Sequence, residues 1–199
     1  MNSMQDIINK AKKLKNEEKY EEAIKLLEDT YLQNPQSKEI KINFIDILFS
    51  YGGYLNDEFV LEYEKAVEIF KKILDIEPKN YKVFYNLGIA YSNLGQVENA
   101  LKAYNTAITL KSDYKHCYYN IGLIYEEKGN LNKALSYYEK ALDIDPDFPY
   151  ALHARQFIRK KIDLQKNQEI DLELTNVCKN CGNINRGGAR FCDECGERL

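Results

Sequence analysis

Large apolar residues recur at spacings of three and four residues in the middle of the chain. Phe84, Leu87 and Tyr91 follow this spacing, and Ala100 and Tyr104 follow it again after a short polar stretch. Because a helix turns once in about 3.6 residues, each set lies along one helical face. The pattern therefore predicts two amphipathic helices joined by a turn.

The same hairpin pattern returns 34 residues later. Residues 81–114 and 115–148 carry the same amino acid at ten corresponding positions, including the pair Gly95 and Gly129. These glycines are predicted to end the first helix of each unit in the left-handed conformation. A fixed period of this length is typical of stacked helical repeats. With two weaker copies upstream, the predicted units are residues 4–37, 38–80, 81–114 and 115–148.

These units resemble tetratricopeptide repeats, whose pattern of an aromatic residue, Leu-Gly, Tyr, Ala, Phe and a closing Pro they match at most positions. The third unit carries Leu87-Gly88 and Ala100-x3-Tyr104, and the fourth closes at Pro146. The resemblance implies an all-α fold, a right-handed superhelix of helix-turn-helix repeats over residues 4–166, whose concave surface binds a partner.

Three positions carry further expectations about the repeats. The first unit departs from the family at Lys10, where a leucine is usual. In the second unit the stretch Gly52-Gly53-Tyr54-Leu55-Asn56-Asp57 is predicted to be a lengthened, exposed turn between the helices, because glycines favour loops. Asp113 is predicted to cap the helix that follows it.

Residues 149–166 are predicted to form a capping helix. Ala151, Ala154 and Ile158 share one face and basic residues occupy the rest, as the open end of a solenoid requires. A membrane-surface helix is the weaker alternative, because the apolar face lacks the bulky residues of such helices. The connector, residues 167–174, fits either a strand or a continuation of the helix.

The resemblance also implies a peptide groove on the first helices of the third and fourth units. Its predicted residues are Lys82, Tyr85, Asn86, Ile89, His116, Tyr119, Asn120 and Leu123. Tyrosines would anchor an extended or helical peptide and asparagines would bond its backbone. Alternatively, the same tyrosines and asparagines support the packing of neighbouring units.

Some members of the family clamp a terminal carboxylate with basic residues on successive first helices. Lys12 and Lys82 lie at such positions, but Asp46 and His116 occupy other positions on the same concave surface. A complete carboxylate clamp is therefore not predicted.

Four of the five cysteines lie near the C-terminus as two CxxC pairs. Cys178, Cys181, Cys192 and Cys195 can complete a tetrahedral thiolate shell, and a glycine follows each pair. Residues 175–199 thus resemble a zinc ribbon, with a short hairpin turning at residues 185–188 and Phe191 as its apolar plug. One structural Zn²⁺ per chain is expected, ahead of iron and of a redox dithiol.

Charge and composition narrow the class of function. The 28 Lys and Arg residues balance 31 Asp and Glu, a net charge of −3, without a basic stripe for nucleic acid. No signal peptide or spanning segment is visible, so a cytoplasmic location is expected. Only His116 and His153 are present as histidines, and Cys117 is predicted to be a buried hydrophobe, so an enzyme is not predicted.

The sequence therefore predicts an adaptor that binds a protein or peptide in its repeat groove and uses the ribbon as a second docking module. The alternative is a nucleic-acid-associated factor whose ribbon contacts RNA or DNA while the repeats recruit a protein. No membrane partner is expected, and the oligomeric state stays open.

Overall fold

The computed structural model describes residues 3–173, 175–186 and 189–199, with side chains except at 167–176 and 186. Nearly all of the described chain before residue 174 is helical. The helices are α1 (Met4–Asn16), α2 (Tyr20–Gln33), α3 (Lys38–Leu55), α4 (Tyr63–Ile76), α5 (Tyr81–Asn93), α6 (Val97–Leu110), α7 (Lys115–Glu127), α8 (Leu131–Ile144) and α9 (Pro149–Glu173). The strands are β1 (Thr175–Val177) and β2 (Ile184–Arg186).

Successive helices pair into hairpins, and a glycine sets the spacing within each of the two clearest pairs. A Cβ on Gly88 of α5 would lie 2.4 Å from the Tyr104 ring of α6, and one on Gly122 of α7 would lie 2.5 Å from the Tyr138 ring of α8. Both rings are buried. The helices can approach this closely only because the glycines have no side chain.

The second hairpin uses the same contact, which corrects the predicted turn. Helix α3 runs through Leu55, so Gly52 and Gly53 are helical and the inter-helix segment is residues 56–62. A Cβ on Gly52 would lie 2.7 Å from the ring of Phe70. Gly52 is thus a packing glycine, and much of the extra length of the second unit lies in α3, which has 18 residues where α5 has 13.

The ends of the helices agree only partly with the ends predicted from the sequence. Gly95 and Gly129 have φ angles of +68° and +72°, which confirms the predicted left-handed ends. The prediction for Asp113 was wrong, because the N-cap residue of α7 is Tyr114 and no side chain caps that helix. Asn80 does cap α5, accepting hydrogen bonds from the backbone N–H groups of residues 82 and 83.

Helix α9 covers the last hairpin with the predicted apolar face. Ala151, Ala154 and Ile158 are buried there. The helix does not stop at residue 166 but continues to Glu173, so the connector is helical up to that residue. Position 174 lies outside the described residues.

The C-terminal segment contains a two-stranded antiparallel sheet. Strand β1 pairs with β2 so that Val177 lies opposite Ile184. The predicted turn at residues 185–188 was wrong for Asn185 and Arg186, because both belong to strand β2 and pair with β1. The other two positions, Gly187 and Gly188, lie outside the described residues. Within the described residues, every helix is too short or too polar to cross a bilayer.

The two adjacent glycines of α3 give a test of the helix contact. We expect Gly52→Ala to lower the free energy of unfolding by about 1–2 kcal/mol, because the added methyl group overpacks against Phe70. Gly53→Ala meets nothing within 4 Å and should instead stabilise the protein by up to about 1 kcal/mol through helix propensity. Urea unfolding of both variants checks this; equal effects at the two positions would contradict the assignment.

Candidate metal centre and candidate peptide groove

The four predicted cysteines converge on one point. Their Sγ atoms all lie within 4.8 Å of one another, and the pairs Cys178–Cys195 and Cys181–Cys192 are 3.5 Å apart. A regular tetrahedron with metal–sulfur distances of about 2.3 Å has sulfur atoms separated by about 3.8 Å. The thiols are free, and their arrangement fits a tetrahedral ion. These four residues can therefore hold a metal.

The first cysteine pair sits in a tight backbone turn. The Cys178 N–H donates to the carbonyl oxygen of Asn183 at 2.8 Å, and the Gly182 N–H donates to the Cys178 carbonyl at 2.8 Å. Gly182 has a φ of +76°, which a residue with a side chain adopts only at a cost. The glycine after the pair is thus required by the turn itself.

The second pair repeats this turn fourteen residues later. Cys192 donates to Glu197 at 2.7 Å, and Gly196, at φ +71°, donates to Cys192 at 2.9 Å. The two turns present their cysteines to each other in the same way. The centre is therefore built from two equivalent knuckles.

Backbone N–H groups in these turns point at sulfur. The N–H of Cys195 is the main cause that lowers the pKa of Cys192 to about 6, and the N–H of Glu197 is the main cause that lowers the pKa of Cys195. The N–H of Asn183 also favours the Cys181 thiolate, but hydrogen bonding to the neighbouring sulfurs raises the pKa of Cys181 to about 12. In the absence of a bound ion, a proton is thus retained among the sulfur atoms. A bound cation would displace this proton.

A buried amide joins the two knuckles. Asn185 is only 2% exposed; its Oδ1 accepts the Asp193 N–H at 2.8 Å, and its Nδ2 donates to the Asn183 carbonyl at 3.0 Å. The expectation that Phe191 is the apolar plug was wrong, because this side chain is 60% exposed. The polar side chain of Asn185 lies in the interior between the two knuckles instead. No hydrophobic period marks such a residue in the sequence.

The eight predicted groove residues all lie on α5 and α7. Lys82 is exposed and the other seven are half-buried. Aromatic contacts join the two helices: the Tyr85 ring centroid is 6.2 Å from that of His116, and His116 lies 5.2 Å from Phe148. The Phe148 ring is in turn 5.6 Å from Tyr119. The structure thus brings the predicted aromatic residues into one continuous row.

The row continues onto α9, for which the sequence predicts only a capping role. Tyr150 lies 5.9 Å from Tyr119 and is largely exposed. The repeat period could have predicted this continuation, because Tyr150 follows His116 by 34 residues and Phe157 follows Leu123 by the same interval. Helix α9 therefore occupies the place of a further first helix.

The two groove asparagines also bond within the protein. Asn120 donates from Nδ2 to the Tyr104 hydroxyl at 3.2 Å, and Asn86 donates from Nδ2 to the Lys82 carbonyl at 2.8 Å. The first bond links consecutive repeats. Both residues accordingly support the local structure.

The wall around His116 carries little net charge. Lys115 forms an ion pair with Asp145 and lies 4.7 Å from the centroid of the Phe148 ring. Burial, with a smaller effect of Lys115, lowers the pKa of His116, so this imidazole is neutral at pH 7. Between Lys82 and Tyr150 the surface is therefore mainly aromatic and amide in character.

Comparison with known proteins agrees with this architecture. Residues 81–114 and 117–148 match the sequence profile of the tetratricopeptide repeat. These two units are tetratricopeptide repeats. A search of curated proteins gives no significant match to the chain.

Solved structures extend the likeness over the other helices. The crystal structure of the MamA protein covers 83% of this chain and 86% of its own, with 22% identity and a TM-score of 0.61. The first TPR of Spaghetti (RPAP3), solved bound to the HSP90 peptide SRMEEVD, covers 60% of this chain and 93% of its own, at 23% identity and a TM-score of 0.54. YrrB, described as a TPR protein with an unusual peptide-binding site, covers 75% and 90%, at 22% identity and a TM-score of 0.53. At these identities the likeness establishes the fold, which is a tetratricopeptide superhelix.

The buried amide of the cysteine centre can be tested directly. Asn185→Ala removes the acceptor of the Asp193 N–H from a buried position, which we expect to cost about 1–3 kcal/mol and to weaken metal binding accordingly. Asp193→Ala retains the same backbone N–H and serves as the control. Competition of the metal-loaded protein against a chromophoric chelator measures both; equal affinities of the two variants would contradict the role of Asn185.

Proposed function

We propose that this chain is an interaction adaptor that holds a peptide or protein segment along the concave wall of its repeats. The aromatic row from Tyr85 through His116 and Tyr119 to Tyr150 is the observation that carries the proposal. Tyrosine rings present a large contact area at a low cost in conformational entropy, and such residues dominate many binding interfaces. A row spanning three helices suits a ligand that crosses the repeats.

The fold neighbours support a peptide as the ligand. The RPAP3 repeats bind an HSP90 peptide and an HSP70 peptide, both of which end in Glu-Val-Asp. In this chain the lysines at clamp positions, Lys12 and Lys82, are both exposed, whereas Asp46, an acidic residue, is paired with Lys15 at 2.7 Å and His116 is neutral. Because two lysines do not make a complete carboxylate clamp, this surface favours a segment bound by apolar side chains and backbone groups over an acidic C-terminus.

Substitution of Tyr119 tests this groove directly. Tyr119→Ala should weaken the binding of peptides selected from a random display library against the intact chain by about 1–3 kcal/mol, or roughly 5–150-fold. Tyr125→Ala removes the same kind of ring from α7, but Tyr125 stacks on Tyr137 of α8 at 5.5 Å. It should therefore lower stability without changing affinity.

Fluorescence anisotropy of labelled peptides gives the affinities, and thermal unfolding shows that both variants are folded at the assay temperature. Peptides that bind the Tyr119 variant as tightly as the parent would place the binding surface elsewhere and overturn the proposal.

We further propose that the cysteine centre binds one structural Zn²⁺ and forms a second docking module. Two knuckles supply four thiolates, so the ion has no open position for water, and its role would be to hold the fold. Among the described side chains of residues 177–199, the buried apolar ones are Cys178 and Cys192, hence the binding free energy of the metal would stabilise this segment. Val177 and Ile184, paired across the sheet and both exposed, offer an apolar surface to a partner.

Elemental analysis of protein purified without added metal tests this assignment. We expect one zinc per chain, and loss of this zinc in a Cys181→Ser variant, because the shell then lacks one of its four ligands. A Cys117→Ser variant is the control, since Cys117 is buried among the helices. Iron in place of zinc, or a metal content unchanged by Cys181→Ser, would refute the assignment.

A further inference from the structure

Helix α9 carries a row of exposed apolar side chains in addition to its buried face. Tyr150, Phe157 and Leu164 are 65%, 53% and 54% exposed. They are seven residues apart, which is close to two helical turns, so they form one stripe that drifts by only about 20° per step. We call these three residues the α9 stripe.

The stripe is not part of the contact with α8. At 3.6 residues per turn, it lies roughly 100° around the helix from the buried residues Ala151, Ala154 and Ile158. Its first member, Tyr150, contacts Tyr119 and Phe148, at 5.9 and 5.6 Å between ring centroids. The stripe therefore begins at the aromatic row and leads away from it along α9.

The spacing of the stripe determines which shape of ligand it accepts. From Tyr150 to Leu164 the stripe covers 14 residue steps, or about 21 Å, along α9. Large residues at seven-residue spacing form the kind of seam against which a second helix packs. A helix lying along α9 thus matches the stripe better than a strand crossing it.

The charges beside the stripe define the chemistry of that helix. Within residues 149–166, Lys160 and Lys161 flank the stripe and both are exposed. Asp163 lies about 100–120° around the helix from Phe157 and Leu164 by the same helical angle, and Arg159 is already paired with Glu139 at 2.7 Å. The surface on either side of the stripe is therefore basic.

A second copy of this chain is a poor occupant for the same reason. Two α9 helices packed along residues 149–166 would bring Lys160 and Lys161 of both copies together, and the carboxylate within that range, Asp163, lies outside the stripe. Like charges placed together at an interface are unfavourable, whereas opposite charges steer and select partners. The complement of the stripe is a helix with an apolar seam and acidic edges.

We propose that the α9 stripe docks an amphipathic helix of a partner protein, with apolar residues at spacings of three and four and acidic residues on both sides of that seam. This deepens the proposed adaptor function, on which it rests for the class of ligand. It adds the shape and charge of the segment and places it beside the groove, along Tyr150, Phe157 and Leu164.

Two designed helical peptides test the proposal on the full-length, metal-loaded chain. Both carry the same leucine seam; one has glutamates and the other lysines at the flanking positions, and both are used at concentrations where they are monomeric. The glutamate peptide should bind at least about tenfold more tightly than the lysine peptide, and high salt should narrow the difference. Fluorescence anisotropy provides the affinities.

Matched variants locate the binding surface. Phe157→Ala, in the middle of the stripe, should weaken the glutamate peptide by about tenfold or more, whereas Gln156→Ala truncates an exposed neighbour outside the stripe and should change affinity by less than about twofold. Changing Lys160 and Lys161 together to Glu should reverse the preference between the two peptides.

The outcomes separate this proposal from the adaptor function itself. If neither peptide binds, if both bind equally, or if Gln156→Ala acts like Phe157→Ala, the stripe proposal fails. It also fails if sedimentation shows a dimer that Phe157→Ala dissociates, because the occupant is then a second copy. Peptides that depend on Tyr119 would still be bound in each of these cases if the adaptor function is correct.

Discussion

The contact between a glycine on one helix and an aromatic ring on the next determines the geometry of three hairpins of the solenoid, α3–α4, α5–α6 and α7–α8. The Tyr104 ring lies where a side chain on residue 88 would be, and the Tyr138 ring does the same at residue 122. Each ring also reaches beyond its own contact. The Tyr104 hydroxyl accepts a hydrogen bond from Asn120 of the next repeat, and the Tyr138 hydroxyl donates to Glu126 at 2.5 Å. Because burial of both rings raises the pKa of their hydroxyls, these groups remain protonated at any ordinary pH.

This constraint also explains where the sequence was sufficient and where it was not. The units over residues 81–148 follow a regular period, so their helices, buried positions and left-handed glycines could be read from spacing alone. Gly52 could not, because its distance along the chain to Phe70 is 18 residues, whereas Gly88 and Tyr104 are 16 apart. Two glycines in succession also resemble a turn. Only the position of the Phe70 ring against Gly52 identifies the packing role.

The cysteine centre shows a different limit of sequence reasoning. The spacing of the four cysteines was enough to predict that their sulfur atoms come together, since two CxxC pairs, each followed by a glycine, are typical of a zinc ribbon. The interior was not predictable, because a metal site of this size has no extended apolar core and its hydrophobic pattern carries little information. Phe191 therefore lies outside and Asn185 inside, where its amide bonds to both knuckles.

Helix α9 combines two requirements that a simple cap would not have. A terminal helix that only protects the last repeat needs one apolar face and a polar remainder. The buried face of α9 meets this need through Ala151, Ala154 and Ile158. The α9 stripe, formed by Tyr150, Phe157 and Leu164, is nevertheless exposed beside that face. Tyr150 and Phe157 occupy, one repeat period later, the positions that His116 and Leu123 occupy on α7. The end of the solenoid therefore continues the aromatic row of the repeats onto a helix that also closes the last hairpin.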